Sequence, residues 1–171
     1  MPEIIFQIPG LCLVFLSCCG ALGPDDRVNL TREEWKERLT EEQYRVTRLR
    51  GTERSFTSEL LDVHEDGTYK CVCCDLELFG SETKFNSGTG WPSFYESLKC
   101  PIDGSDNVEL IKHMHFGRTN IETRCRRCGA HLGHRFDDGP PPTGHRYCIN
   151  GVALTFEASP KTDTEQEIED N

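Results

Sequence analysis

Positive charge is what this chain has least of. Its 19 Lys and Arg stand against 29 Asp and Glu, a formal net charge of −10. A face that neutralises phosphates is therefore not expected, and nucleic acid is excluded as the main partner. Long apolar runs are missing too. The longest, within residues 11–23, falls short of the roughly 20 residues a membrane-spanning helix needs, so no stable membrane insertion is expected. Residues 1–23 contain no Lys or Arg. The segment therefore reads as a signal-peptide apolar region without a basic start, and it is too poor in Arg and Ser for an organellar transit peptide.

These features divide the chain. Residues 1–23 are expected to target it to the secretory pathway, in the endoplasmic reticulum or outside the cell; the alternative is the cytoplasm or an organelle, with an N-terminal extension. Residues 24–158 make the folded domain. Residues 159–171, with Asp163, Glu165, Glu167, Glu169 and Asp170, are an acidic tail expected to be disordered. At 36% hydrophobic and 28% charged residues, the chain has the composition of an ordinary globular protein.

Cysteine is what the chain has in excess, with ten. Cys12, Cys18 and Cys19 fall in the leader; Cys71, Cys73, Cys74, Cys100, Cys125, Cys128 and Cys148 fall in the domain. Cys71 with Cys74 and Cys125 with Cys128 have the Cys-x-x-Cys spacing. One such pair is ambiguous between redox and chelating roles, but two predict a tetrahedral four-thiolate zinc site. That site is structural, because four sulfurs leave no open position. The bland alternative, two local disulfides, suits an oxidising compartment. Cys73 is expected to point away.

The remaining expectations are local. Thr31 with Glu34 and Thr40 with Gln43 are capping boxes, which predict two short helices with Trp35, Leu39, Tyr44 and Val46 as core. Leu60–Val63 is a strand candidate, followed by a hairpin turn at Asp66-Gly67, with His64 solvated. Gly88-Thr-Gly-Trp91-Pro-Ser-Phe94 is a glycine-rich turn whose aromatics are either core or pocket wall. Cys100 sits on a surface loop, residues 108–111 and 121–124 read as strands, and Arg124, Arg126 and Arg127 are a small basic cluster. The run 145–156 alternates as a core strand, with Cys148 near its start.

Cys148 is the unpaired thiol of an odd set. A thiolate nucleophile needs cationic or hydrogen-bonding neighbours, which Arg146, His131 and His134 could supply. The residues alone leave open a Cys-His hydrolase, a thiol oxidoreductase, an inert zinc-ribbon module, or a buried inert cysteine.

The runs Gly88-Thr-Gly-Trp91-Pro-Ser-Phe94, Arg124-Cys125-x-x-Cys128-Gly-Ala-His131-Leu-Gly-His134-x-Phe136-Asp-Asp138-Gly-Pro140 and Pro142-Thr-Gly-x-Arg146-Tyr-Cys148-Ile-Asn150 resemble the methionine-R-sulfoxide reductase B family. The likeness covers about residues 30–157. It implies a mainly β fold, with two antiparallel sheets in an open, barrel-like arrangement and short N-terminal helices. It also implies thiol-dependent reduction of methionine-R-sulfoxide, protein-bound or free, in repair of oxidatively damaged proteins. Cys148 matches the catalytic cysteine, which passes through a sulfenic acid. His131, His134, Arg146 and Asn150 match its active-site partners, Trp91 and Phe94 the substrate-binding turn, and Cys71, Cys74, Cys125 and Cys128 the ligands of one structural Zn²⁺. Thioredoxin or another thiol is the implied reductant, and a monomer is expected. One departure stands out: Thr89 occupies a position where many members carry the resolving cysteine. Resolution then falls to Cys100, Cys73, a leader cysteine or an external thiol, with Cys100 the first suspect.

Overall fold

Two helices open the structure, and each starts with the device its sequence announces. In this computed structural model, which describes residues 27–101, 103–115 and 118–160, α1 spans Arg32–Arg38 and α2 spans Glu41–Leu49. The Thr31 hydroxyl accepts from the Glu34 amide while the Glu34 carboxylate accepts from the Thr31 amide; Thr40 and Gln43 repeat the exchange. Trp35, Tyr44 and Val46 are buried. α2 ends at Arg50 in the left-handed region, φ 58°. The expected leader, and all of the tail beyond residue 160, lie outside the described residues.

The strand expected at Leu60–Val63 does not form. Glu59–Leu61 is a 3-10 turn, started by the Ser58 hydroxyl accepting from the Leu60 amide, a local bond that competes with extended backbone. Among the described residues no strand precedes Asp66-Gly67, so no hairpin closes there. Instead Gly67 begins β1 (Gly67–Cys71), which turns through the first cysteine pair into β2 (Glu77–Gly80). Two short strands follow, β3 (Lys84–Phe85) and β4 (Ser93–Phe94). The long hairpin of β5 (Val108–His115) and β6 (Arg118–Cys125) extends both strands predicted there. The second cysteine pair turns β6 into β7 (His131–Phe136).

The run expected as one strand after His145 is split in two. β8 (Arg146–Ile149) stops before a 3-10 turn at Gly151–Ala153, and β9 (Leu154–Ala158) resumes in another sheet. The cause is Glu53. Its buried carboxylate accepts from the amides of Gly151 and Val152, at 2.6 and 2.8 Å, which bends the backbone away from the ladder. β2-β1-β9 form a three-stranded sheet and β3-β4-β8-β7-β6-β5 a six-stranded one, all pairs antiparallel. The fold is thus mainly β with two antiparallel sheets, as expected. Among the described residues the pairings establish two sheets and no closed ring. Phe94 stacks on Phe79 at 4.4 Å between centroids and meets Tyr69 edge-on at 4.9 Å, which joins the sheets through an aromatic core.

Candidate active site

Two hairpin turns of matching construction hold the cysteine pairs. In the first, the amides of Cys74 and Asp75 donate to the Cys71 carbonyl. In the second, the Gly129 amide donates to the Cys125 carbonyl. The residue after each pair is left-handed, Asp75 at φ 57° and Gly129 at φ 67°. The four sulfurs of Cys71, Cys74, Cys125 and Cys128 lie within 4.8 Å of one another. Cys71 to Cys128 is 3.7 Å and Cys74 to Cys125 is 3.5 Å. A tetrahedron with metal–sulfur bonds of about 2.3 Å requires edges of about 3.8 Å, so the sulfurs fit one ion. Arg48 of α2 stacks on Trp35 and reaches the same knot, with Nη1 to the Cys128 carbonyl at 2.9 Å and Nη2 to its sulfur at 3.4 Å. Within the small basic cluster, Arg124 pairs with Glu122 and Arg126 with Asp103, while Arg127 bonds the Cys74 carbonyl.

The second group of residues is aligned by strand register. Ser93 on β4 faces Cys148 on β8, Cys148 faces His134 on β7, and His134 faces Glu122 on β6. Directly opposed residues share a face, so these four form one row across the larger sheet. His131, three residues before His134, should point the other way. The register between β6 and β7 shifts by one residue between Thr123 and Arg124, so two residues of β7 oppose one of β6. This bulge returns His131 to the row's face. Its ring meets that of His134 at 5.5 Å, T-shaped, and its Nδ1 lies 2.8 Å from Glu122 Oε1.

Cys148 opens into a cavity of about 170 Å³ lined by Thr52, Trp91, Gly133, His134, Phe136 and Asn150. Burial pushes the Cys148 thiol above its usual range; a hydrogen bond from Thr89 and the charge of Arg146 oppose that without cancelling it. Thr89 Oγ1 stands 4.0 Å from the sulfur and heads a hydroxyl chain, 2.8 Å to Ser87 and then 2.7 Å to Ser93. Arg146 is clamped by both oxygens of Asp138, at 2.8 and 2.9 Å, and lies over the Phe136 ring. Asn150 donates to the Leu132 carbonyl at 2.8 Å and accepts from the Glu53 amide at 2.9 Å. Trp91 Nε1 donates to the Glu53 carbonyl at 3.3 Å. Burial holds the His134 imidazole below its usual range, and His131 adds to that. A larger groove of about 820 Å³ shares Trp91 as a wall.

Some expected residues fall elsewhere. Phe94 does not line the cavity: β4 alternates, Ser93 faces Cys148, and Phe94 faces Tyr147 and is fully buried in the core. His131 sits behind His134, 4% exposed, and does not reach the cavity wall. Cys100 is not a surface thiol. Its loop closes through the Ser105 carbonyl and the Gly104 amide, and the residue is 1% exposed. Two organising residues carried no sequence signal. Neither Glu53 nor Glu122 is set apart by any motif, and both are buried.

Comparisons with known proteins point one way. A family model described as the SelR domain matches residues 39–158. The peptide methionine sulfoxide reductase MsrB of Pseudomonas putida (strain W619) is 53% identical over 130 residues, covering 76% of this chain and 94% of its own length. The protein of that name from Hahella chejuensis is 50% identical over 144 residues, with 84% and 99% covered. That from Methanosarcina barkeri is 53% identical over 129 residues, with 75% and 87% covered.

Proposed function

This chain belongs to the SelR domain family of MsrB-type peptide methionine sulfoxide reductases, and from that membership we infer that it reduces methionine-R-sulfoxide in proteins with Cys148 as nucleophile. The observation that carries the assignment is the row in which Cys148 and His134 face each other at the mouth of one small cavity. The Cys148 thiolate attacks the sulfoxide sulfur and one proton is taken up. The sulfur–sulfur bond so formed and the substrate's sulfur–oxygen bond then both break as the protonated oxygen passes to the cysteine sulfur, leaving Cys148 as a sulfenic acid and releasing methionine. The substrate gains the two electrons that the cysteine sulfur loses. His134, on the cavity wall, is the group placed to hand over the proton. Trp91 packs on the substrate's methyl group, and its indole is held for that task by the Glu53 carbonyl. Arg146 draws the thiol toward its charged form, and Asn150 pins the β7 backbone behind His134.

A second thiol must then condense with the sulfenic acid, releasing water and leaving a disulfide that further thiol reduces. Thr89 holds the place beside the sulfur and cannot do this. Cys100 is buried in its loop and Cys73 stands beside the four-cysteine knot, while Cys12, Cys18 and Cys19 lie outside the described residues. Direct attack by an external thiol, of thioredoxin type, is the reading these positions favour. Disulfide mapping of peroxide-treated protein by mass spectrometry tests it. A Cys148–Cys100 bridge as the main product would overturn it.

Zinc is the ion that four thiolates at this spacing select. Held by Cys71, Cys74, Cys125 and Cys128, it would supply a fixed backbone and no open coordination site. Residues 24–158 are proposed as the catalytic unit, working as a monomer, with residues 1–23 directing the chain to the secretory pathway; N-terminal sequencing of secreted or lumenal protein checks the leader. The main test is turnover of the R and S epimers of methionine sulfoxide with dithiothreitol, with zinc assayed on the same sample. Reduction of R alone with one zinc per chain is expected. No turnover of R would refute the assignment.

A further inference from the structure

Among the described residues Glu122 is the most heavily engaged side chain of the larger sheet, and it has no part in the chemistry above. It is 2% exposed. Arg50, from the end of α2, donates Nη2 to Oε2 at 2.5 Å and Nε to Oε1 at 3.1 Å. Arg124, two residues along β6, spans both oxygens at 2.9 Å. His113 on β5 reaches Oε2 at 2.7 Å, and His131 Nδ1 on β7 reaches Oε1 at 2.8 Å. Burial alone would favour the neutral acid, but the two histidine bonds and the arginine charge outweigh it, and the carboxyl sits below its usual range.

A carboxylate fixed by two arginines fixes the histidine that leans on it. Oε1 can only accept, so His131 must carry its proton on Nδ1 toward Glu122, which sets its tautomer and ring angle. His131 in turn meets the His134 ring edge-on. The charged and titratable groups facing His134 are His131 beside it, Cys148 across β8, Glu122 across β6, and His113 and Arg50 behind Glu122. Among them the carboxylate favours a protonated imidazole, while Arg50, His113 and His131 oppose one.

We propose that Glu122 is a positioning residue of the reductase: bound between Arg50 and Arg124, it orients His131 and supplies the negative charge that lets His134 carry the proton delivered to the sulfoxide. The proposal rests on the assigned sulfoxide chemistry. Its rival is a purely structural carboxylate, which would tie α2 to the sheet and leave the histidines' behaviour unchanged.

The two roles separate by sign. Glu122→Gln keeps the shape and removes the charge, so the histidine-governed limb of the kcat/KM profile should move to lower pH by about half to one unit. kcat/KM at neutral pH should fall about tenfold. Arg50→Gln removes an opposing charge and should move the same limb to higher pH; Glu122→Asp should keep it near its original place. An NMR titration of the His134 ring, free of turnover, should show the same opposite shifts. Circular dichroism and melting confirm that each variant is folded. Folded variants whose limbs and ring titrations coincide with the unaltered protein overturn the proposal. If Glu122→Gln does not fold, Arg50→Gln decides alone, and an unmoved titration there refutes it. Absence of R-epimer reduction by the unaltered chain would instead sink the assigned reaction.

Discussion

At Cys148, burial, hydrogen bonding and charge compete over one proton. Burial disfavours the thiolate, while the Thr89 hydroxyl and the Arg146 guanidinium favour it, and the balance leaves the thiol above its ordinary range. The sign follows directly. Nucleophilic reactivity should climb as pH rises through the alkaline region, because only the thiolate reacts. Iodoacetamide labelling of Cys148 followed by mass spectrometry should show that rise. Arg146→Met and Thr89→Val should each slow labelling at a fixed pH near 8 by roughly threefold to tenfold, equal to about 0.5–1 unit upward in pKa. Labelling unchanged in both variants would remove these side chains from any account of the thiolate. Cys148→Ser should abolish reduction while leaving the melting temperature within a few degrees, since a hydroxyl of similar size replaces a half-buried thiol.

The elements show why some of this could be read from the sequence and some could not. Both capping boxes were legible, because a Thr and an acid or amide three residues on need only each other. The Cys-x-x-Cys pairs were legible for the same local reason, and the resemblance in the motif runs extended that to Cys148 and His134. Phe94 was misplaced because its side is decided by pairing with β8, which no local pattern contains. The bulge that turns His131 toward Glu122 depends on register between β6 and β7, and a buried acid in an alternating strand looks like a solvated one. The break after Ile149 was hidden because its cause, Glu53, lies roughly a hundred residues upstream.

At Gly133 the strands β7 and β8 leave no room for a side chain. A Cβ there would fall inside contact distance of the Cys148 carbonyl oxygen, with the Cys148 carbonyl carbon and Ile149 Cα next at 3.0 Å. All three are backbone, so β7 and β8 would have to part. Gly133→Ala should cost about 1–3 kcal/mol in urea unfolding. It should also lower kcat by more than tenfold, by moving His134 away from Cys148. A variant with wild-type kcat would show that the row tolerates separation.

For the molecule as a whole, the four-cysteine knot is the joint on which the row of Cys148 and His134 hangs. It ties the β1–β2 turn of the small sheet to the β6–β7 turn of the large one, and Arg48 fastens α2 to the same point. β7 begins at His131, three residues after Cys128, so the backbone that aims both histidines leaves directly from the knot. Four thiols crowded this closely without an ion would be set against one another. Hydrogen bonds among them already push Cys71 and Cys125 up and pull Cys128 down to about 4. Stripping metal with a chelator under reducing conditions should therefore cost about 3 kcal/mol or more, on the order of 10 °C in melting temperature for a domain of this size. Activity should fall with it and return when Zn²⁺ is added back. The Cys148→Ser protein should lose the same stability on chelation, because a metal held by these four cysteines would act on the frame and not on the nucleophile. Full activity in metal-free protein at a temperature where it remains folded would show that the histidines are aimed from elsewhere.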